Sequence, residues 1–123
     1  MNDKTYELHG LRVLEYTGER NSIRSVQQAM DLIAEANHQR AALVIIPVES
    51  LDEDFFQLRT GLAGEILQKF VTYGSRLAIV GDISGYLQES RAFRDLVREA
   101  NRGKQCWFVK TPEEIRLRWN APS

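Results

Sequence analysis

The stretch "ALVIIPV", residues 42–48, is a continuous apolar run rich in β-branched side chains, closed by a proline and then Glu49. That pattern predicts a strand covered on both faces, the usual situation in a mainly parallel sheet whose crossover helices pack against it. "RLAIVGD", residues 76–82, repeats the pattern, and "QCWFV", residues 105–109, gives a third run of the same kind. Between them the period changes. Leu62, Ile66 and Phe70 fall four apart with Ala63 and Leu67 beside them, a wide apolar stripe for one helix, and Gly74 is placed to stop it. Phe93, Leu96, Val97 and Ala100 define another helix, ended by "NRG".

Upstream, Thr5–His9 and Leu11–Thr17 are two short β-prone runs that meet at Gly10, a first hairpin or strand pair. "GERNS" then offers Asn21 or Ser22 as the cap of a helix whose apolar face carries Val26, Ala29, Met30, Ile33 and Ala36. Downstream, "TPEEIRLRW" has Thr111 as cap, Pro112 at the first helical position and two acids in the first turn. The predicted order is ββαβαβαβα: a single α/β domain over residues 1–123, with a mixed, largely parallel sheet and right-handed crossovers. Functional loops of open α/β sheets gather at the carboxyl ends of the strands. The segments "TGERNS", "VESLDEDFFQLRTG" and "GDISGYLQ" are therefore expected together at one end of the molecule.

The segment leading into the second helix has two readings. "SLDE" has capping-box spacing from Ser50 to Glu53, and Leu51, Phe55, Leu58 and Leu62 keep a helical rhythm, so one long helix is a possibility. The favoured reading is a short helical turn followed by a break at Thr60-Gly61, because glycine in a helix interior costs roughly 1 kcal/mol. With a break, the helix start at Arg59, Thr60 and Gly61 exposes amides that favour an anion, and the arginine adds a charge-assisted donor. The plainer alternative makes Thr60 the N-cap, Arg59 a solvated loop residue and Gly61 a point of close packing.

Composition narrows the classes. The 123 residues suit one domain, and sixteen basic against seventeen acidic residues leave a net charge of −1. Nucleic acid is thus an unfavoured partner. The longest apolar run falls far short of the roughly 18 to 20 residues of a membrane span. The lone Cys106 excludes an intramolecular disulfide, and "MNDKTYELHG" lacks a leader pattern, so a cytoplasmic protein is expected.

Glu49 and Asp82 each follow a buried strand, and on neighbouring strands their carboxylates could share a proton or a metal. Acids at strand ends also serve as turn formers, and no third ligand stands at motif spacing, so neither metal nor cofactor is expected. "GDISG" lacks the spacing and lysine of a phosphate loop. His9 and His38 have no partner at ligand spacing, and Cys106 reads as a buried structural thiol. Arg91, Arg94, Arg98 and Arg102, interspersed with Glu89, Asp95 and Glu99, read as a solvated face laced with ion pairs. Trp107 and Phe108 must point to opposite faces of their strand. If helices cover only one face, the other needs a lid or a second subunit.

The core "VIIPVESLDEDFFQLRTGLAGEILQKFVTYGSRLAIVGD" and the later "REANRGKQCWFV" resemble an uncharacterised bacterial family, the domain of unknown function family 4180. More distantly, the element order, the "TGERNS" loop and the Gly61-Leu62 opening of helix two resemble the sulphate transporter and anti-sigma factor antagonist (STAS) domain. Those domains carry an Asp-Ser-Ser-Gly-Leu-like sequence where this chain has Leu58, Arg59, Thr60, Gly61 and Leu62. The resemblance implies a β-α superhelical fold and a non-enzymatic role in protein-protein signalling. The phosphoacceptor position of those domains falls on Arg59, which has no hydroxyl; Thr60 stands one position later. The expected function is a regulatory module that docks a protein partner through Glu49 to Gly61, with Asp82 nearby. Two alternatives are a small hydrolase or transferase using Glu49 and Asp82, and an oligomeric structural protein, such as a homodimer, that buries an apolar face.

Overall fold

The computed structural model describes residues 3–119. Its centre is one five-stranded sheet with the sequential order β1 (Lys4–Leu8), β2 (Leu11–Glu15), β3 (Leu43–Pro47), β4 (Leu77–Val80) and β5 (Cys106–Val109). The first pair is antiparallel and the other three pairings are parallel. Five helices accompany it among the described residues: α1 (Val26–His38), α2 (Leu62–Thr72), α3 (Ser84–Glu89), α4 (Arg91–Arg102) and α5 (Glu113–Trp119). The expected α/β class and mainly parallel sheet hold. The helix predicted around Phe93 is preceded by a separate short one, because Ser90 is extended (φ −136°) and its Oγ accepts the Phe93 amide at 3.0 Å, starting α4 afresh.

Parallel strands that follow one another in both sequence and space, joined by crossovers of one hand, place their helices on one face. The packing follows that rule. Val44 and Ile46 of β3, Leu77 and Ile79 of β4, and Cys106 and Phe108 of β5 point into a core shared with Leu32, Ile33, Ile66, Phe70 and Phe93 of the crossover helices. The alternate residues Leu43, Ile45, Ala78, Trp107 and Val109 point the other way. Register makes the second face fit: Ile45, Ala78 and Trp107 are side by side, so the small Ala78 lies between two large neighbours. That face is closed by α5, whose Ile115 is fully buried and whose Trp119 meets Trp107 edge to face at 5.9 Å. The lid that the sequence required is the chain's own last helix. Arg76 lies 4.3 Å over the Trp119 ring and holds it from outside.

The helix ends are mostly set by local chemistry. Helix α1 begins not at Asn21 or Ser22 but at Ser25, where a capping box with Gln28 satisfies both backbone amides. The earlier residues are drawn elsewhere: Ile23 forms a parallel bridge with Leu51, and its amide donates to Ser50 O at 2.9 Å. Gly74 (φ +64°) ends α2 as expected. Its amide donates to Val71 O and that of Ser75 to Phe70 O, a Schellman arrangement.

Candidate functional site

Between β3 and α2 the chain forms no long helix. It makes three tight 3₁₀ turns, Val48–Ser50, Glu53–Phe56 and Leu58–Thr60. The capping box between Ser50 and Glu53 is absent; Asp52 caps the second turn instead, its carboxylate accepting the Asp54 amide at 3.1 Å. The break falls at Gly61, whose φ of +79° is a left-handed conformation open to glycine at little cost. Leu51, Phe55 and Phe56 face inward and are almost fully buried, whereas Glu49, Glu53, Asp54, Gln57, Arg59 and Thr60 face outward. The result is a ridge pinned from below. Phe56 stacks on Tyr86 of α3 with ring centroids 3.8 Å apart and planes 4° apart, and meets Phe93 edge to face. Aromatic pairs of this kind contribute about 0.5 to 1.5 kcal/mol beyond their buried area.

The carboxyl end of the sheet supports this ridge. Because Pro47 and Val80 are register partners on adjacent strands, Glu49 and Asp82 leave the sheet side by side. Gly81 makes the approach possible: its φ is +144°, and a Cβ there would meet the Val48 Cβ at 2.9 Å. A cleft of about 380 Å³ opens between the two exits, lined by Arg20, Glu49, Glu53, Gly81, Asp82 and Tyr86 among others. The three loops singled out from the sequence all contribute to it, as expected. The loop before α1 is tied to the ridge by the Asn21 amide, which donates to Glu49 O at 2.9 Å.

Each polar group in the cleft has a definable state. Arg20 and Glu49 approach to 3.8 Å, but both are mostly exposed, so their attraction contributes little. The Tyr86 hydroxyl donates to Glu53 at 3.0 Å; burial, and next that carboxylate, push its pKa up. Asp82 accepts the Ser84 amide at 2.9 Å, and hydrogen bonds from Ser84 hold its carboxyl below the ordinary range. Asp82 is therefore a charged turn former at the start of α3 and a poor proton donor near neutrality. Among the described residues no three His, Cys, Asp or Glu side chains converge to hold a metal ion.

Arg59, Thr60 and Gly61 do not line this cleft. Thr60 Oγ1 lies 2.7 Å from Asp54 O and 2.8 Å from Gln57 O, to which it can donate, and it accepts the Leu62 amide at 3.3 Å. Gly61, rather than Thr60, occupies the N-cap position of α2. Arg59 is exposed on the turn. Sequence reading named Glu49 and Asp82 but not Arg20, Glu53 or Tyr86. Those three sat inside the flagged loops; Glu53 and Tyr86 are distinguished only by their pairing across about thirty residues, and Arg20 by its approach to Glu49.

These features define a small α/β domain with an open mixed sheet, a polar cleft at the carboxyl edge of its strands and an anchored acidic ridge beside it. The chain belongs to the family described as Domain of unknown function (DUF4180), whose model matches residues 8–118. No curated protein and no solved structure matches the chain. No helix of the described residues is long and apolar enough to cross a membrane.

Proposed function

We propose that this domain is a non-enzymatic regulatory module that docks a protein partner through the ridge from Glu49 to Gly61, with Asp82 at its flank. The observation that carries the reading is the ridge itself. Its inward residues Leu51, Phe55 and Phe56 are buried and its outward residues are polar, so its surface is already ordered before a partner arrives. Preorganisation of that kind lowers the entropic cost of association. Over residues 48–61 four acids stand against one base, which selects a basic partner surface and makes binding weaken with salt.

The STAS-like element order supports a signalling role, and the position of its phosphoacceptor is held here by Arg59. In this reading Arg59 and Thr60 contact the partner directly rather than through a phosphoryl group. The enzyme alternative draws support from Glu49 and Asp82 lining one cleft. In that alternative Asp82, whose carboxyl is held charged by its turn, serves as an acceptor and not as a proton donor. Since α5 covers the second sheet face within one chain, the oligomeric alternative draws its support from a helix face instead.

A photo-crosslinking residue placed at Gln57, or at Asp54, tests the proposal in an extract of the producing cell. The expected result is one discrete adduct from both positions, changed in yield by Arg59→Ala and by Thr60→Glu, and absent when the probe sits at Gln27 on the exposed side of α1. Adducts that are the same at all three positions, or indifferent to both substitutions, overturn it.

A further inference from the structure

A second cleft lies at the same edge of the sheet, beyond Gly81. It has a volume of about 410 Å³ and opens between the α3-α4 side and α5, over the carboxyl ends of β4 and β5. Its floor is apolar: Ile83, Leu87, Val97, Phe108 and Val109. Its charged lining is Lys110, Glu114 and Arg118, a balance of one positive charge. Glu114 is partly occupied, since its Oε1 accepts the Lys110 amide at 3.2 Å. Arg118 is oriented by donating from one guanidinium nitrogen to Asn101 O at 2.9 Å, which leaves its other donors for a ligand.

The walls are fixed. Asn101 reads the edge of β5 with both ends of its amide, accepting the Phe108 N–H at 2.8 Å and donating to Phe108 O at 3.2 Å. The Phe108 backbone and the arginine anchor are thereby tied to one residue on α4, the first through the Asn101 side-chain amide and the second through the Asn101 main-chain carbonyl. A cleft in the usual size range for small molecules, with an apolar floor, a few oriented polar groups and a place at the carboxyl ends of parallel strands, is how α/β sheets hold ligands.

From this geometry we infer that the cleft between α3-α4 and α5 binds a small amphipathic acid, with its apolar body on Val97 and Phe108 and its anionic headgroup between Lys110 and Arg118. A neutral molecule of the same shape forgoes the attraction of a lining with one net positive charge, and a cationic one is repelled by that excess. This site is separate from the ridge and does not depend on the docking proposal.

Octanoate is a suitable probe, followed through the backbone amides of the full chain by two-dimensional NMR. The expected result is a saturable shift of the Ile83, Leu87, Val97 and Lys110 amides, with octanol binding about tenfold more weakly, since a charge-assisted hydrogen bond is worth about that factor. Octylamine should bind more weakly still. Octyl phosphate distinguishes a phosphate from a carboxylate headgroup by its relative affinity. Lys110→Gln alters an exposed side chain and should keep the fold while weakening octanoate several-fold; Arg118→Gln should do the same. The inference is overturned by octanol binding as tightly as octanoate, by no saturation, or by shifts centred instead on a separate apolar groove lined by Leu67 and Val71 of α2 and Leu96 and Ala100 of α4.

Discussion

Replacing Gly81 by alanine tests the part of the structure on which both clefts depend. Gly81 carries β4 into the Asp82–Ser84 turn, and it lines each cleft. Two separate costs attach to Gly81→Ala. A φ of +144° is a conformation that side-chain-bearing residues rarely adopt, which costs on the order of 1 to 3 kcal/mol. The added Cβ would also stand 2.9 Å from the Val48 Cβ and 3.0 Å from its Cγ2, so a packed pair must separate, typically for another 1 to 3 kcal/mol. The expected loss of about 2 to 6 kcal/mol is large against a total stability of roughly 5 to 15 kcal/mol. Urea unfolding followed by the fluorescence of Trp107, which is 2% exposed, measures it. A cycle with Val48→Gly separates the two costs, because removing the Val48 Cβ relieves the contact and not the backbone angle. Coupling of about 1 kcal/mol or more, in the favourable direction, is expected. A single-substitution cost below about 0.5 kcal/mol would refute the whole argument, and zero coupling would refute the close approach.

Asn101→Ala removes both hydrogen bonds to Phe108 at the edge of β5 and should cost about 2 to 4 kcal/mol in urea unfolding, whereas a loss within error would mean that water replaces the amide freely. The Cys106 thiol is pushed up to about 12 by burial and lies 3.8 Å from Leu67 O, so a thiol reagent at pH 8 should react only at the rate of unfolding; rapid native-state labelling would contradict this placement. The same shift has a definite sign: the unfolded thiol ionises first, so its contribution to stability is complete below about pH 8.5 and declines as pH rises towards the folded value. Asp82 should titrate below the ordinary carboxylate range in carbon-detected NMR, with its stabilising contribution present at neutral pH and lost as pH falls through that lowered value. Ser84→Ala should return the midpoint only part of the way, because the backbone amide of residue 84 remains; an ordinary midpoint in the unsubstituted protein would refute the turn.

The strands were legible because burial on two faces leaves a signature that needs no partner to interpret. "ALVIIPV" is apolar at every position since Val44 and Ile46 meet one core and Leu43 and Ile45 the other. The break before α2 was legible for a similar reason: Gly61 is costly in a helix and inexpensive at φ +79°. What stayed hidden was decided across the chain. Asn21, Ser22 and Ser25 are all acceptable cap types, and the choice of Ser25 follows from the bridge of Ile23 to Leu51. Ser50 and Glu53 have the spacing of a capping box, yet Asp52 takes the role once Ser50 is pulled into the bridged turn. Tyr86 carries no local sign of importance, because its ring partner Phe56 and its hydroxyl partner Glu53 lie about thirty residues away.

Sequential strand order explains why two clefts, and not one, open at the same edge. In a doubly wound sheet the strand order reverses and a single crevice forms where the loops diverge. Here β2, β3, β4 and β5 follow in order, so successive exit loops also lie side by side, and each adjacent pair can part to make a groove. The first groove separates the exits of β3 and β4, and the second those of β4 and β5, with Gly81 common to both. Their charges oppose: Glu49, Glu53 and Asp82 face Arg20 in the first, whereas Lys110 and Arg118 face Glu114 in the second. One occupant cannot satisfy both. A basic protein surface suits the first and a small acid the second, so Lys110→Gln should weaken octanoate while leaving the Gln57 adduct unchanged, and Arg59→Ala should do the reverse. If either substitution moved both readouts equally, the ridge and the second groove would have to be treated as one site.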